Sequence, residues 1–382
     1  MSHQLRGNIR DGFAWRLALF YAGVFTAMGV QLPFFPAWLA AKGLDPGAIG
    51  LVLAAPMVVR VVAVPPITRL ADRQGTLRGM LIATSMAAAI GYLWVALAEG
   101  FVGILIAVAC ASIAATPVMP IADAYALHGL TRRGRPYGPV RLWGSVAFIA
   151  ASFAAGLAAA HLPPTALVWL IVAALAVAAA VSLALRPAGT VPPAPGPAEQ
   201  TSFPAPAVLA VMIGASLIQA SHAIYYGFST LDWTQRGLSG PAIGALWGLG
   251  VAAEVALFAA SARVPMAAGG LIGLGAVAAV LRWSAMAFAP PDHLLPLLQC
   301  LHGLSFGATH LGTVQFLARA GEGKAAAQGD FVTVLGLVMA AVTGLSGLVY
   351  ASFGAHAYAA MALCAALGGG LALLAVRRRG SD

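Results

Sequence analysis

The chain has 382 residues, of which 60% are hydrophobic and only 9% charged, with a mean hydropathy of +0.88. A soluble domain carries roughly 25% charged residues because it must face water, so a cytosolic enzyme, a secreted domain and a disordered chain are all excluded. The net charge of +9 does not point to nucleic acid, because most of it falls in loops on one side of the membrane that the apolar runs predict.

Apolar runs lie at about 13–41, 47–69, 79–98, 101–127, 138–160, 164–185, 207–234, 241–262, 267–289, 293–317, 328–352 and 355–376. A membrane span needs about 20 apolar residues, and in lipid such a run satisfies its own backbone only as a helix. The pattern predicts an all-α polytopic membrane protein of twelve transmembrane helices in two six-helix bundles. The first run exceeds a signal-peptide core and another follows at once, so it reads as a span. The twelfth is interrupted by Gly368-Gly369-Gly370. Cys110, Cys300 and Cys364 lie singly in apolar runs and read as buried free thiols, not metal ligands or disulfides.

The Pro-rich stretch 186–206 divides the chain into an N-terminal bundle (1–185), a cytoplasmic linker (186–206) and a C-terminal bundle (207–382). An internal repeat supports this division. Lys42-Gly43-Leu44 with Ala48-Ile49-Gly50 recurs 194 residues later as Arg236-Gly237-Leu238 with Ala242-Ile243-Gly244. Duplicated halves are a transporter signature. Asp45-Pro46 reads as a helix start, and Pro33 and Pro36 as a bend near the outer end of the first span. With the N-terminus inside, 16 of the 21 Lys and Arg fall in inner segments and only Lys42 and Arg236 in outer loops. That asymmetry predicts cytoplasmic termini and a multi-pass protein of a plasma membrane, in bacteria the inner one.

Ionisable residues at membrane depth are costly and tend to face a cavity or a partner. Arg60, Asp123, Arg141, Glu254, Arg282 and the histidines 222, 302 and 310 are of this kind. Arg60 and Glu254 are related by the repeat offset; Arg60 reads as a structural ion-pair partner rather than a substrate group. On the seventh run, Gln219, His222 and Tyr226 share one helical face, so His222, Tyr225 and Tyr226 are candidate cavity residues.

The loop after the second run, Arg69-Leu70-Ala71-Asp72-Arg73-Gln74-Gly75-Thr76-Leu77-Arg78, resembles the signature G-x-L-A-D-R-x-G-R-K of the major facilitator superfamily, with Arg69 in place of the first glycine. The resemblance implies a conformational gate at Asp72, Arg73 and Arg78. Tyr137-Gly138-Pro139-Val140-Arg141-Leu142-Trp143-Gly144-Ser145 resembles the fifth span of the phenylpropionate permease family, a branch related to lactose permease. So do Ser221 to Ser229, Gly244 to Glu254, and Leu298 to Gly307 with His310, for spans 7, 8 and 10. Likeness to lactose permease implies that Asp123 and Arg141 flank the substrate and that Glu254, Arg282 and His302 serve proton coupling. Ser305 replaces the usual proton-carrying carboxylate three residues after the histidine. The family implies a small aromatic carboxylate such as 3-phenylpropionate. Its carboxylate is expected at Arg141 or Arg282, and its ring among Trp143, Phe148, Tyr225 and Trp247.

The expected function is therefore a secondary active transporter, a proton symporter working by alternating access, with a sugar or nucleoside symporter or a uniporter as the alternatives. No GxxxxGK[ST] or HExxH motif occurs, so neither ATP drive nor an enzyme is expected. No cofactor, metal or nucleic acid is expected. The partners would be substrate, proton and lipid, and the protein a monomer.

Overall fold

The computed structural model describes residues 12–189, 204–261, 263, 266–319 and 324–379. Twelve membrane-crossing helices follow in chain order: α1 (Phe13–Ala41), α2 (Pro46–Gln74), α3 (Leu77–Leu97), α4 (Gly100–Thr131), α5 (Tyr137–Ala159) and α6 (Leu167–Leu183). After the linker come α7, in two pieces (Pro206–Ala220 and Ala223–Gln235), α8 (Gly240–Ser261) and α9 (Ala268–Ala287). α10 runs from Leu295 to Arg319 with a π-helical turn at Gly303–Ala308, and α11 (Lys324–Phe353) and α12 (Tyr358–Arg379) close the chain. Each helix coincides with one predicted apolar run. Ten stretches are long and apolar enough to cross a membrane. One of them, Gln328–Arg378, covers both α11 and α12, and the interrupted α10 completes the twelve. Their outer faces carry exposed Leu, Val and Ile, such as Val62, Ile90, Leu97 and Leu367, as a lipid-facing surface requires. The three cysteines are free but not buried as expected: Cys110 and Cys300 are exposed and Cys364 is half-buried, because an apolar run presents residues outward as well as inward.

The helices pack as six and six. In the first half α1 lies against α5 and α6, and α4 against α2 and α3; in the second, α12 lies against α7 and α9, and α8 against α10. Gly368-Gly369-Gly370 does not interrupt α12. Added Cβ atoms at Gly368 and Gly369 would come within 2.5 Å of Gly214 O on α7 and 2.6 Å of Ala276 Cβ on α9. The triplet lets three backbones approach, the usual use of small residues between membrane helices. Residues 190–203 of the linker lie outside the described residues.

The 194-residue repeat has a structural meaning. Gly43 (φ 82°) and Gly237 (φ 87°) both adopt the left-handed conformation. Leu44 N donates to Leu39 O and Leu238 N to Trp233 O, so both copies end a helix with the same glycine cap. Asp45 Oδ1 then accepts from Ala48 N at 2.9 Å, and Ser239 Oγ from Ala242 N at 3.4 Å. The basic residue of each copy pairs across its half, Lys42 with Glu99 and Arg236 with Asp292.

The glycine that ends each copy makes the contact between the halves. A Cβ on Gly50 would lie 3.0 Å from Thr343 O and Gly347 N on α11, and one on Gly244 would strike Ser152 O on α5. Gly156 and Gly240 meet backbone to backbone in the same way. All these residues lie at the end away from the basic loops, so the halves touch there and part toward the basic end.

Gly50→Val and Gly244→Val should hold that end apart. In a cysteine-free background carrying Leu32→Cys, labelling by an impermeant reagent added from outside should rise about tenfold, the shift given by ~1.4 kcal/mol lost from the closed state.

Candidate functional site

A cavity of about 860 Å³ lies between the halves. Four helices contribute one stripe each, at spacings of three and four: Phe25, Met28 and Leu32 from α1; Tyr137, Arg141, Ser145 and Phe148 from α5; Trp247, Val251, Glu254 and Phe258 from α8; His302, Phe306 and His310 from α10. Tyr225 and Tyr226 of α7 complete the wall.

On the N-terminal side Arg141 is the only charged lining residue. Its guanidinium stacks on Phe25, 4.1 Å from the ring centre. Asp123 stands behind it, with Arg141 Nε 3.9 Å from Oδ1. That same oxygen accepts from Tyr21 OH (2.6 Å) and Tyr137 OH (2.8 Å). Two tyrosines thus satisfy the carboxylate, and Arg141 is held loosely, by its Nε alone. Among the described residues none accepts a hydrogen bond from its terminal nitrogens, the pair that binds a carboxylate in two-point fashion.

The C-terminal wall is aromatic and then charged. Tyr225 stacks on Trp247 with ring centres 4.5 Å apart. Behind Tyr225 lies Arg282, fully buried, its guanidinium 4.6 Å from the Tyr225 ring and 4.4 Å from Trp283. Arg282 Nη2 donates to Gln299 Oε1 at 2.6 Å and Nη1 to His302 Nδ1 at 3.0 Å. Arginine only donates, so Nδ1 is the acceptor and the His302 proton sits on Nε2. That nitrogen faces Glu254 Oε2 at 4.0 Å. Glu254, His302 and Arg282 thus form one chain from the cavity into the bundle. Gly250, Gly303 and Gly307 make room for it. A Cβ at Gly303 would meet Ala253 O at 2.6 Å, and one at Gly250 would touch the His302 ring. The π turn that follows His302 is a feature frequent at functional sites.

Eight of the candidate residues therefore line the cavity: Arg141, Phe148, Tyr225, Tyr226, Trp247, Glu254, His302 and His310. Four others do not. Trp143 is 58% exposed on the outer surface, in a groove with Trp15 between α1 and α5; two residues from Arg141, it points away from the face Arg141 occupies. His222 is fully buried at the break in α7, bonded to Gln219 O and, at 3.0 Å, to Ser305 Oγ. Ser305 thus pairs with a histidine in the position expected of a carboxylate. Asp123 acts behind Arg141, and Arg282 is sealed from the cavity by Tyr225 and His302, so it does not receive a substrate carboxylate in this conformer. At the proposed gate, Arg78 donates to Leu185 O (2.7 Å) and Leu183 O (3.1 Å), tying α3 to the end of α6. The Asp72 and Arg73 side chains lie outside the described residues. Phe25, Met28, Leu32 and Phe306 have no sequence signal, because on a membrane helix apolar residues face every direction.

The sequence matches the MFS_1-like family over residues 14–361. The chain belongs to that family. Among MFS_1-like relatives, a probable 3-phenylpropionic acid transporter of Escherichia coli (strain K12) is 31% identical over 370 residues, covering 91% of this chain and 94% of that protein. A maltose permease of Geobacillus stearothermophilus is 28% identical over 316 residues, covering 79% and 78%. A crystal structure of the nucleoside transporter NupG has a TM-score of 0.75 at 15% identity, covering 97% of this chain and 98% of that one. The fold is that of the major facilitator transporters.

Gln299→Leu would leave Arg282 Nη2 buried without an acceptor, at a cost of about 1–3 kcal/mol or more for a charged donor. A lowered thermal unfolding midpoint in detergent is expected. Gln299→Glu keeps the acceptor and should hold or raise the midpoint.

Proposed function

We propose that the protein is a proton-coupled symporter of a small aromatic carboxylate, such as 3-phenylpropionate, working by alternating access. The observation that carries this reading is the pairing, across one cavity, of Arg141, whose terminal nitrogens lack partners, with the Tyr225–Trp247 stack. The first offers a carboxylate two parallel donors; the second offers a ring an aromatic face. The relative named as a probable 3-phenylpropionic acid transporter supports the same substrate class. With the basic loops in the cytoplasm, the conformer described here opens inward.

Glu254 is the proton carrier in this reading. It faces the cavity and interacts electrostatically with Arg141. An ionised Glu254 would repel an incoming carboxylate and compete for Arg141, so substrate enters together with a proton on Glu254. His302 does not carry it in this conformer. A second proton on its ring would have to sit on Nδ1, where Arg282 already donates. Substrate anion and proton then cross as a neutral load, and Glu254 releases its proton when the anion has left.

The sugar reading draws on the maltose permease relative and on the same aromatic stack. Arg141 separates the two. Arg141→Lys keeps the charge but loses the planar fork. In the acid reading it should weaken 3-phenylpropionate binding to purified protein about tenfold or more, with folding intact; unchanged binding would remove Arg141 from the site.

Glu254→Gln tests the coupling separately. Wild type should take up protons from weakly buffered solution on binding 3-phenylpropionate. Glu254→Gln should bind without proton uptake, exchange substrate in counterflow, and fail to accumulate it. Uphill accumulation by Glu254→Gln would show that another group carries the proton.

A further inference from the structure

Arg60 has none of the partners expected for it. It lies in the middle of α2, and no described residue gives it an ion pair or a hydrogen bond. Among the described residues, the carboxylates of the N-terminal half are occupied or distant. Asp123 is held by Tyr21, Tyr137 and Arg141, and Glu99 by Lys42. Asp45 and Asp72 precede and follow Arg60 along the chain by 15 and 12 residues, which at ~1.5 Å per residue is about 22 and 18 Å of helix. An arginine cannot shed its proton in a protein. Arg60 is exposed rather than sealed in the bundle, and a guanidinium that lines a cavity without a partner among the described residues is free to receive an anion.

The space in front of it is a separate cavity of about 240 Å³ inside the N-terminal bundle, lined from α1, α2, α3, α4 and α6. Met28 belongs to both this cavity and the central one and stands between them. The polar groups here are nearly all committed. Ser85, Ser112 and Thr116 each donate to the carbonyl four residues earlier, and Gln31 Nε2 donates to Tyr92 OH at 2.5 Å. The remaining walls are apolar, among them Val24, Ala27 and Leu175. A polyol would find few donors here. A ligand with one planar anionic group and an apolar body would satisfy both the arginine and the walls. The volume lies below the ~300–1,000 Å³ of drug-sized pockets, which limits that body to one ring or a short chain.

We propose that this cavity is a second anion site, anchored by Arg60, that takes a small monocarboxylate independently of Arg141. The duplication gives it a counterpart: the equivalent position of the second half holds Glu254. One half thus carries a permanent cation where the other carries a group that can lose its charge.

Equilibrium dialysis of radiolabelled 3-phenylpropionate against the purified full chain tests this. Wild type should bind two equivalents, and Arg60→Gln and Arg141→Gln one each. Arg60→Lys should weaken the second equivalent about tenfold. Arg60→Gln removes an unpaired charge and should keep its thermal midpoint, so loss of binding there is not loss of fold. Crystals soaked with 3-(4-iodophenyl)propionate should show an iodine anomalous peak beside Met28 and Leu175. One equivalent in wild type, lost in Arg141→Gln and unchanged in Arg60→Gln, would overturn the second site and leave the central one standing. One equivalent lost in Arg60→Gln alone would uphold this site and remove the central acid reading. No binding to wild type would overturn both.

Discussion

A guanidinium that cannot be neutralised sits fully buried in the C-terminal bundle with no carboxylate against it. The site's architecture follows from satisfying it. Gln299 and His302 lie three apart on α10 and present two acceptors to one arginine. Tyr225 and Trp283 cover its faces, where ring electrons partly replace lost water. Because Arg282 takes His302 Nδ1, the imidazole has one tautomer left, and its remaining proton is aimed at Glu254. The carboxylate that faces His302 is thus one residue removed from Arg282, on a side chain that lines the cavity. A structural requirement deep in the bundle becomes a constraint on a carboxylate at its surface.

Glycine sets the second constraint. Four glycines of the central contact, Gly50, Gly156, Gly240 and Gly244, bring backbone against backbone between the halves. Such contacts depend on close dispersion packing rather than on interlocked side chains. They can separate without leaving buried polar groups unpaired, which suits a surface that opens and closes. Gly303 and Gly307 use the same chemistry within one half, fixing α10 on α8 so that His302 stays beside Glu254. The two uses differ in what surrounds them. Between halves the glycines are flanked by apolar side chains, such as Leu348 against Gly47 and Ile149 against Gly248, whereas α10 is also held through Arg282.

The twelve helices were legible in the sequence because a lipid-facing span must be apolar along its whole length. The same uniformity hides which face is which. Arg141, Glu254 and His302 stand out as rare charges, and all three line the cavity. Trp143 stands beside Arg141 in the sequence motif yet faces lipid, because adjacency in a motif says nothing of helical phase. Phe25 and Met28 are indistinguishable by type from the lipid-facing residues around them. Arg282 and Arg60 show the limit most clearly. Both arginines fall mid-span in the sequence, but Arg282 is fully buried and enclosed by Gln299 and His302, whereas Arg60 is exposed and opens onto a cavity. Only the packing of helices distant in sequence separates those cases. The repeat was legible as letters, but its work as helix cap and interface glycine needed coordinates.

The two halves divide charge unequally. The N-terminal half presents to its cavities only groups whose charge is fixed, Arg141 and Arg60. The C-terminal half presents Glu254, whose charge can change, linked through His302 to an arginine that cannot move away. Rocking about the glycine contacts leaves each half's internal bonds intact. The interaction it must alter is the one that spans the gap, between Arg141 and Glu254. That attraction strengthens as the cleft closes and the charges approach. Under the proposed symport, an anion on Arg141 replaces Glu254 as its counter-charge, and a proton on Glu254 releases it from that duty. Loading both leaves no net charge across the gap to resist closure, whereas loading the anion alone would set two negative charges facing each other. In the proposed symport, coupling of the two ligands follows from electrostatic balance across a moving interface, without a dedicated proton wire.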